Sequence, residues 1–134
     1  MGTVDPLLAP IPGAERRTIG GVELEVASAG AARVKRMIYP AGFRWSAHMK
    51  PIVGTELCMH AHAGFLARGS IHIGYPDGCV KEFSAPAVLA IEPGHDGWVV
   101  GTGPAVVIEF DFERNTAQQL GMAHGHRHDS APTA

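Results

Sequence analysis

Only two cysteines, Cys58 and Cys79, occur in 134 residues. That is too few for a disulfide framework. Apolar runs are only a few residues long, far short of the roughly 20 that a membrane-crossing helix needs. Charge of either sign is sparse, with 11 basic and 13 acidic residues and a formal charge of −2. Such a balance carries no electrostatic footprint for nucleic acid or an anionic membrane. The N-terminal MGTVDPLLAPIPGAERR lacks the basic start and apolar run of a secretory signal. There is no internal repeat, and no window before residue 114 has a persuasive helical period. These absences lead to the expectation of a cytoplasmic, one-domain protein with reduced thiols and neither nucleic-acid nor membrane partners.

What the chain does have is glycine (17) and proline (10), spread between short runs of β-type residues. Strands are predicted near 22–27, 32–39, 43–48, 55–62, 64–68, 70–75, 79–83, 87–92, 97–101 and 105–113. Tyr75-Pro76-Asp77-Gly78 reads as a tight turn, because Pro fixes φ and Gly permits φ > 0. It should join 70–75 to 79–83 as a hairpin. Residues 108–113, IEFDFE, alternate apolar and acidic, the pattern of a half-buried strand with one wet face. Regular short strands with Gly/Pro turns indicate an all-β sandwich or barrel. The expected division is an N-terminal arm (1–20), a barrel (21–113) and a flexible His-containing tail (114–134), with a short helical turn over 115–121.

The segment 55–62, TELCMHAH, places Glu56, Cys58, His60 and His62 on one face if it is extended. Side chains at i and i+2 then lie roughly 6–7 Å apart. Two histidines at that spacing can reach one ion, and imidazole suits Zn, Fe, Cu or Ni. The alternative is a solvated strand face. Cys58 can be a soft ligand, a thiol, or a small buried side chain. His72, between Ile71 and Ile73, should face out of the barrel. The tail sequence HGHRH (124–128) is metal-capable in composition.

YPAGFRWSAHMKP, HAGFLARGSIHI and APAVLAIEPGHDGW together resemble the two sequence motifs of the cupins, across roughly residues 32–112. A subgroup of small bacterial cupins shares WSxHxKPxxGT, the following Cys, HxGY and PGHDxW, and this chain looks like a member. The resemblance implies a double-stranded β-helix (jelly-roll) barrel with metal ligands in its lumen. His48 occupies the position of the motif's first His and Lys50 that of the second. His62 stands at the motif's Glu position. In the second motif His95 directly follows Pro93-Gly94, and Gly97 stands where the family's His belongs. The ligand set implied is His48, His62 and His95, with His60 as a possible fourth, holding a divalent ion (Zn, Fe or Ni) with open water positions. Asp96 either orients His95 or caps a turn.

Within that frame Glu56 or His60 would move a proton, and Lys50 would bind a substrate carboxylate or enolate, or simply pair with Glu56. Phe43, Trp45, Phe65 and Trp98 would line an apolar pocket. The expected function is a metal-dependent enzyme acting on an aromatic or polyketide-like small molecule, by proton transfer, cyclisation, isomerisation or dioxygenation. The rival is a non-catalytic small-molecule or metal-sensing module. A homodimer is expected, since barrel edges invite pairing.

Overall fold

The structure, a computed structural model, describes residues 4–126. Among these the chain forms nine strands in two antiparallel sheets. The larger sheet has the order β1 (Glu15–Ile19), β2 (Val22–Ala29), β3 (Ala32–Tyr39), β9 (Ala105–Asp111), β4 (His62–Arg68), β7 (Ala87–Ile91). The smaller has β6 (Val80–Ser84), β5 (Ser70–Gly74), β8 (Asp96–Val100). The sheets face each other as a jelly-roll barrel, the all-β class expected. No helix is long and apolar enough to cross a membrane among the described residues.

Alternation along each strand sorts side chains between interior and exterior. Leu66, Val107, Leu89 and Ile91 point inward from the large sheet, and Ile71, Ile73 and Val99 meet them from the small one. The predicted turn at residues 75–78 forms as read. The Gly78 N–H donates to the Tyr75 carbonyl at 3.0 Å, and Gly78 has φ +88. β5 and β6 pair in register from Ser70–Ser84 to Gly74–Val80.

Three local expectations are corrected. Residues 45–48, expected in a strand over 43–48, form the short helix α1 (Trp45–His48), followed by α2 (Lys50–Val53). The cause is nonlocal: Asp96 Oδ1 accepts the Ser46 N–H at 3.0 Å and so fixes the first turn of α1. Gly54, at φ +86, then ends α2 in the left-handed conformation that glycine tolerates. Residues 55–61 are not a strand either. Thr55 Oγ1 donates to the Leu57 carbonyl at 2.7 Å, a local turn contact that competes with extended pairing, and extended pairing begins at His62. Finally, the alternation over 108–113 is real within β9, but its polarity is inverted. Glu109 and Asp111 face the interior at 2% and 3% exposure, while Phe110 is 50% exposed outside.

The N-terminal arm lies on the exterior of the large sheet. Arg36, itself buried, pairs with Glu25 and donates to the carbonyls of Pro6 (3.0 Å) and Ala9 (2.5 Å). The Ile11 N–H donates to Glu25 at 2.7 Å. Within the expected arm of residues 1–20, β1 adds an edge strand to β2. At the other end, α3 (Thr116–Gln119) is the short turn expected near 115–121. Residues 127–134 of the expected flexible tail lie outside the described residues.

One glycine sets the spacing of the large sheet where β4 meets β9. A Cβ on Gly64 would stand 2.1 Å from the Ile108 carbonyl oxygen and 2.5 Å from Glu109 Cα. Both contacts are backbone, so neither can swing aside. Gly64→Ala should therefore push β9 from β4 and destabilise the fold by about 1–3 kcal/mol, as overpacking does. Thermal or urea unfolding would measure this. An unchanged midpoint would mean the strands do not pack this closely.

Candidate metal centre

His62 begins β4, opposite Ile91 of β7, and its ring enters the barrel interior. Two residues on, Gly64 pairs with Glu109 of β9. This register puts the Glu109 carboxylate beside the His62 ring, and the Nδ1–H of His62 donates to Glu109 Oε2 at 2.8 Å. The third component is Cys58, in the irregular segment before β4. Its backbone is clamped to the loop before β8: the Cys58 N–H donates to the His95 carbonyl at 2.7 Å, and the Gly94 N–H donates to the Cys58 carbonyl at 2.7 Å. That clamp brings Cys58 and His95 side by side. The buried His95 ring donates its Nδ1–H to the Glu92 carbonyl at 2.7 Å.

Both imidazoles thus have Nδ1 occupied by an oxygen acceptor, and both keep Nε2 for the interior. Cys58 Sγ lies 3.7 Å from His62 Nε2. One donor atom from each of Cys58, His62 and His95 falls within 4.8 Å of the others. An oxygen partner on the far nitrogen is what metal-binding histidines use to fix ring orientation and tautomer. Sulfur and two imidazole nitrogens form a set suited to Zn, Fe or Cu. The donor chemistry therefore fits a divalent metal, with Glu109 and the Glu92 carbonyl as outer supports.

Electrostatics couple the same groups in the metal-free protein. Burial alone would raise the Cys58 thiol, but hydrogen bonds and charge from His62 and His95 bring it down to about 5. Burial alone would lower His62, but the Glu109 carboxylate and the Cys58 sulfur carry it up to about 10. The result is a buried thiolate–imidazolium pair backed by a carboxylate. His60 is held below its usual range, chiefly by burial.

The cavity over this trio has a volume of about 460 Å³ and is bordered by both sheets. Phe43 and Trp45 form part of its wall, as expected. Phe65 does not: it is one residue out of phase with His62, Gly64 and Leu66, and is 42% exposed on the exterior. Trp98 borders the cavity, but its ring packs under the Arg44 guanidinium at 4.2 Å and against the edge of His72. His72 itself faces away from the interior, as expected, and lies 3.7 Å from Glu82.

Of the expected ligands, the structure brings together His62 and His95 and leaves His48 apart. His48 is on the exposed face of α1, where its Nδ1 accepts the Arg44 N–H at 3.0 Å. Lys50 and Glu56 form a surface ion pair at 2.8 Å, with the Glu56 side chain 88% exposed, so neither reaches the trio. His60 is at the cavity rim, its ring centre 6.5 Å from that of His62. Asp96 takes the capping role on α1 and pairs with Arg44 at 3.2 Å; it does not orient His95. Glu109 and the cavity-lining Lys35, Arg33 and Arg17 were missed in the sequence reading. The only available signal was the acid alternation in β9, which was read as solvent-facing.

Comparison with known proteins supports the architecture alone. No protein-family model matches the chain, and no curated protein matches it. Among solved structures, a Cupin 2 conserved barrel domain protein from Salinispora arenicola superposes with a TM-score of 0.56 at 11% identity. It covers 90% of this chain and 98% of its own. An RmlC-like cupin from Shewanella frigidimarina gives 0.52 at 18% identity, covering 77% and 87%. FeII HppE gives 0.52 at 11% identity, covering 83% of this chain and 63% of its own. The chain is a small protein with the cupin fold.

The coupled titration has a direct signature in chelator-treated protein. Cys58 is depressed, so its contribution to stability is complete above its ordinary value of 9.0 and is lost as pH falls through about 5. His62 is raised, so its contribution is complete below its ordinary 6.5 and is lost as pH rises through about 10. The summed contribution of the two groups in the wild type should therefore be flat between 6.5 and 9.0 and fall on both sides. Iodoacetamide should modify Cys58 with a half-maximal rate near pH 5, not near 9. A rate midpoint above 8 would contradict the pair.

Proposed function

We propose that the protein is a metal-dependent enzyme that acts on a small organic carboxylic acid with an aromatic or polyketide-like body. The observation that carries this reading is the Cys58–His62–His95 trio at the inner wall of an apolar cavity, with both imidazoles oriented by oxygen acceptors. A bound divalent metal would supply Lewis acidity toward a carbonyl oxygen. Everything else in the reading rests on the chain's own side chains.

The substrate class follows from the cavity wall. Arg17, Arg33 and Lys35 border it. Asp111 accepts from Arg33 at 2.8 Å and Lys35 at 2.6 Å, and the Glu113 charge also acts on Arg33. Three cations against these two carboxylates leave a positive rim that suits an anionic group. Phe43 and Trp45 provide the apolar and aromatic surface for the remainder of the ligand. His60, on the same rim, is the side chain placed to exchange a proton with a substrate held there. The chemistry best matched to this set is metal-assisted proton transfer next to a carbonyl, as in an isomerisation or cyclisation.

The test loads the protein with Zn, Fe or Ni and incubates it with a panel of small aromatic and β-keto carboxylic acids, followed by mass spectrometry and an oxygen electrode. The expected result is conversion without a mass increase or oxygen uptake, abolished in His62→Ala. Oxygen uptake with a matching mass gain would replace proton transfer by dioxygenation. Binding without turnover under every metal would overturn the enzyme reading in favour of a sensing module. Lys35→Met should raise KM for the acid roughly tenfold or more while leaving kcat near wild type, the loss expected for one charge-assisted contact.

A further inference from the structure

A second set of ligating side chains lies away from the barrel interior, where the C-terminal segment returns to the β5–β6 turn. Asp77 and Cys79 belong to that turn, and His126 belongs to the tail. The donor atoms of Asp77, Cys79 and His126 all fall within 4.8 Å of one another. In a tetrahedral zinc site with bonds of about 2.0–2.3 Å, donors sit roughly 3.3–3.8 Å apart. The three groups therefore need to close by only about an ångström.

The His126 ring is already oriented. It stacks on Tyr75 with ring centres 3.8 Å apart, and its side chain is 7% exposed. Its Nδ1 lies 3.2 Å from Glu92 Oε2, while its Nε2 lies 3.7 Å from Asp77 Oδ2. This repeats the geometry of His62 and Glu109: a carboxylate on the outer nitrogen, with the other nitrogen turned toward further donors. The turn is fixed too: the Cys79 N–H donates to Asp77 Oδ1 at 2.8 Å, and Asp77 Oδ2 lies 3.7 Å from His126 Nε2. The same Glu92 supports both centres, with its carbonyl on His95 and its carboxylate on His126.

We propose that Asp77, Cys79 and His126 form a second binding site, for a borderline-soft divalent cation such as zinc, which fastens the C-terminal segment to the β5–β6 turn. The sulfur, nitrogen and oxygen donors match that class of ion. Binding requires the Cys79 thiolate and releases its proton to solvent.

The experiment is a zinc count on the full chain after gel filtration. Wild type should hold two equivalents. Cys79→Ser and His126→Ala should each hold one, and His62→Ala should also hold one, from the outer site. His124→Ala should still hold two, which separates this site from indiscriminate binding by the histidine-containing tail. In cobalt-loaded protein the thiolate charge-transfer band should persist in Cys58→Ser and vanish when Cys79→Ser is added. Zinc should also slow tryptic trimming of the tail in wild type but not in His126→Ala. Two equivalents retained in both Cys79→Ser and His126→Ala, or only one in a wild type that loses it in His62→Ala, would overturn the proposal.

Discussion

Glu109 is a carboxylate with almost no access to water, set in a wall of apolar side chains, and the His62 ring is the group that answers it. Removing a carboxylate from water costs several kcal/mol unless charge and hydrogen bonding offset it. That cost organises the end of the barrel where β4 meets β9. It holds His62 in one orientation and keeps its Nδ1 protonated, which turns Nε2 toward Cys58. It also requires β4 and β9 to approach closely, which is possible because Gly64 has no side chain to collide with Glu109. The backbone clamp between Cys58 and His95 then completes the trio. A proton on His62 and a metal ion are alternative occupants of the same direction in space.

Much of the barrel was legible because its signals are local. The strand over 32–39 matches β3 at both ends, and the turn at residues 75–78 needs nothing beyond proline, glycine and their φ preferences. Periodicity failed where distant residues decide. Nothing near Ser46 in the sequence announces that Asp96 will cap its helix. The alternation over 108–113 identified a strand, yet the buried face is the acidic one. Period two fixes that two faces differ; it does not say which faces inward when charged partners wait on the other side. His62 supplies that partner for Glu109, and Arg33 and Lys35 supply it for Asp111.

The candidate site was half legible for the same reason. His62 stands at the motif's Glu position and His95 two residues before the motif's His position, and both are at the interior. His48 was assigned by the same register, but its strand became a helix and carried it to the surface. Cys58 takes the place left open, drawn in by its backbone pairing with His95, which no spacing rule anticipates. Lys50 and Glu56 satisfy each other in solvent, and the cations that border the cavity come from β1 and β3. The positively charged side of the cavity is therefore built from residues that the motifs do not include.

The most direct test is X-ray absorption spectroscopy of zinc-loaded His126→Ala protein, in which the outer site is disabled. The account expects one sulfur neighbour at about 2.3 Å and two imidazole nitrogens at about 2.0–2.1 Å, with a lighter scatterer completing the shell. Loss of the sulfur contribution in Cys58→Ser would assign it. A shell of nitrogen and oxygen alone, unchanged in Cys58→Ser, would contradict the Cys58–His62–His95 centre.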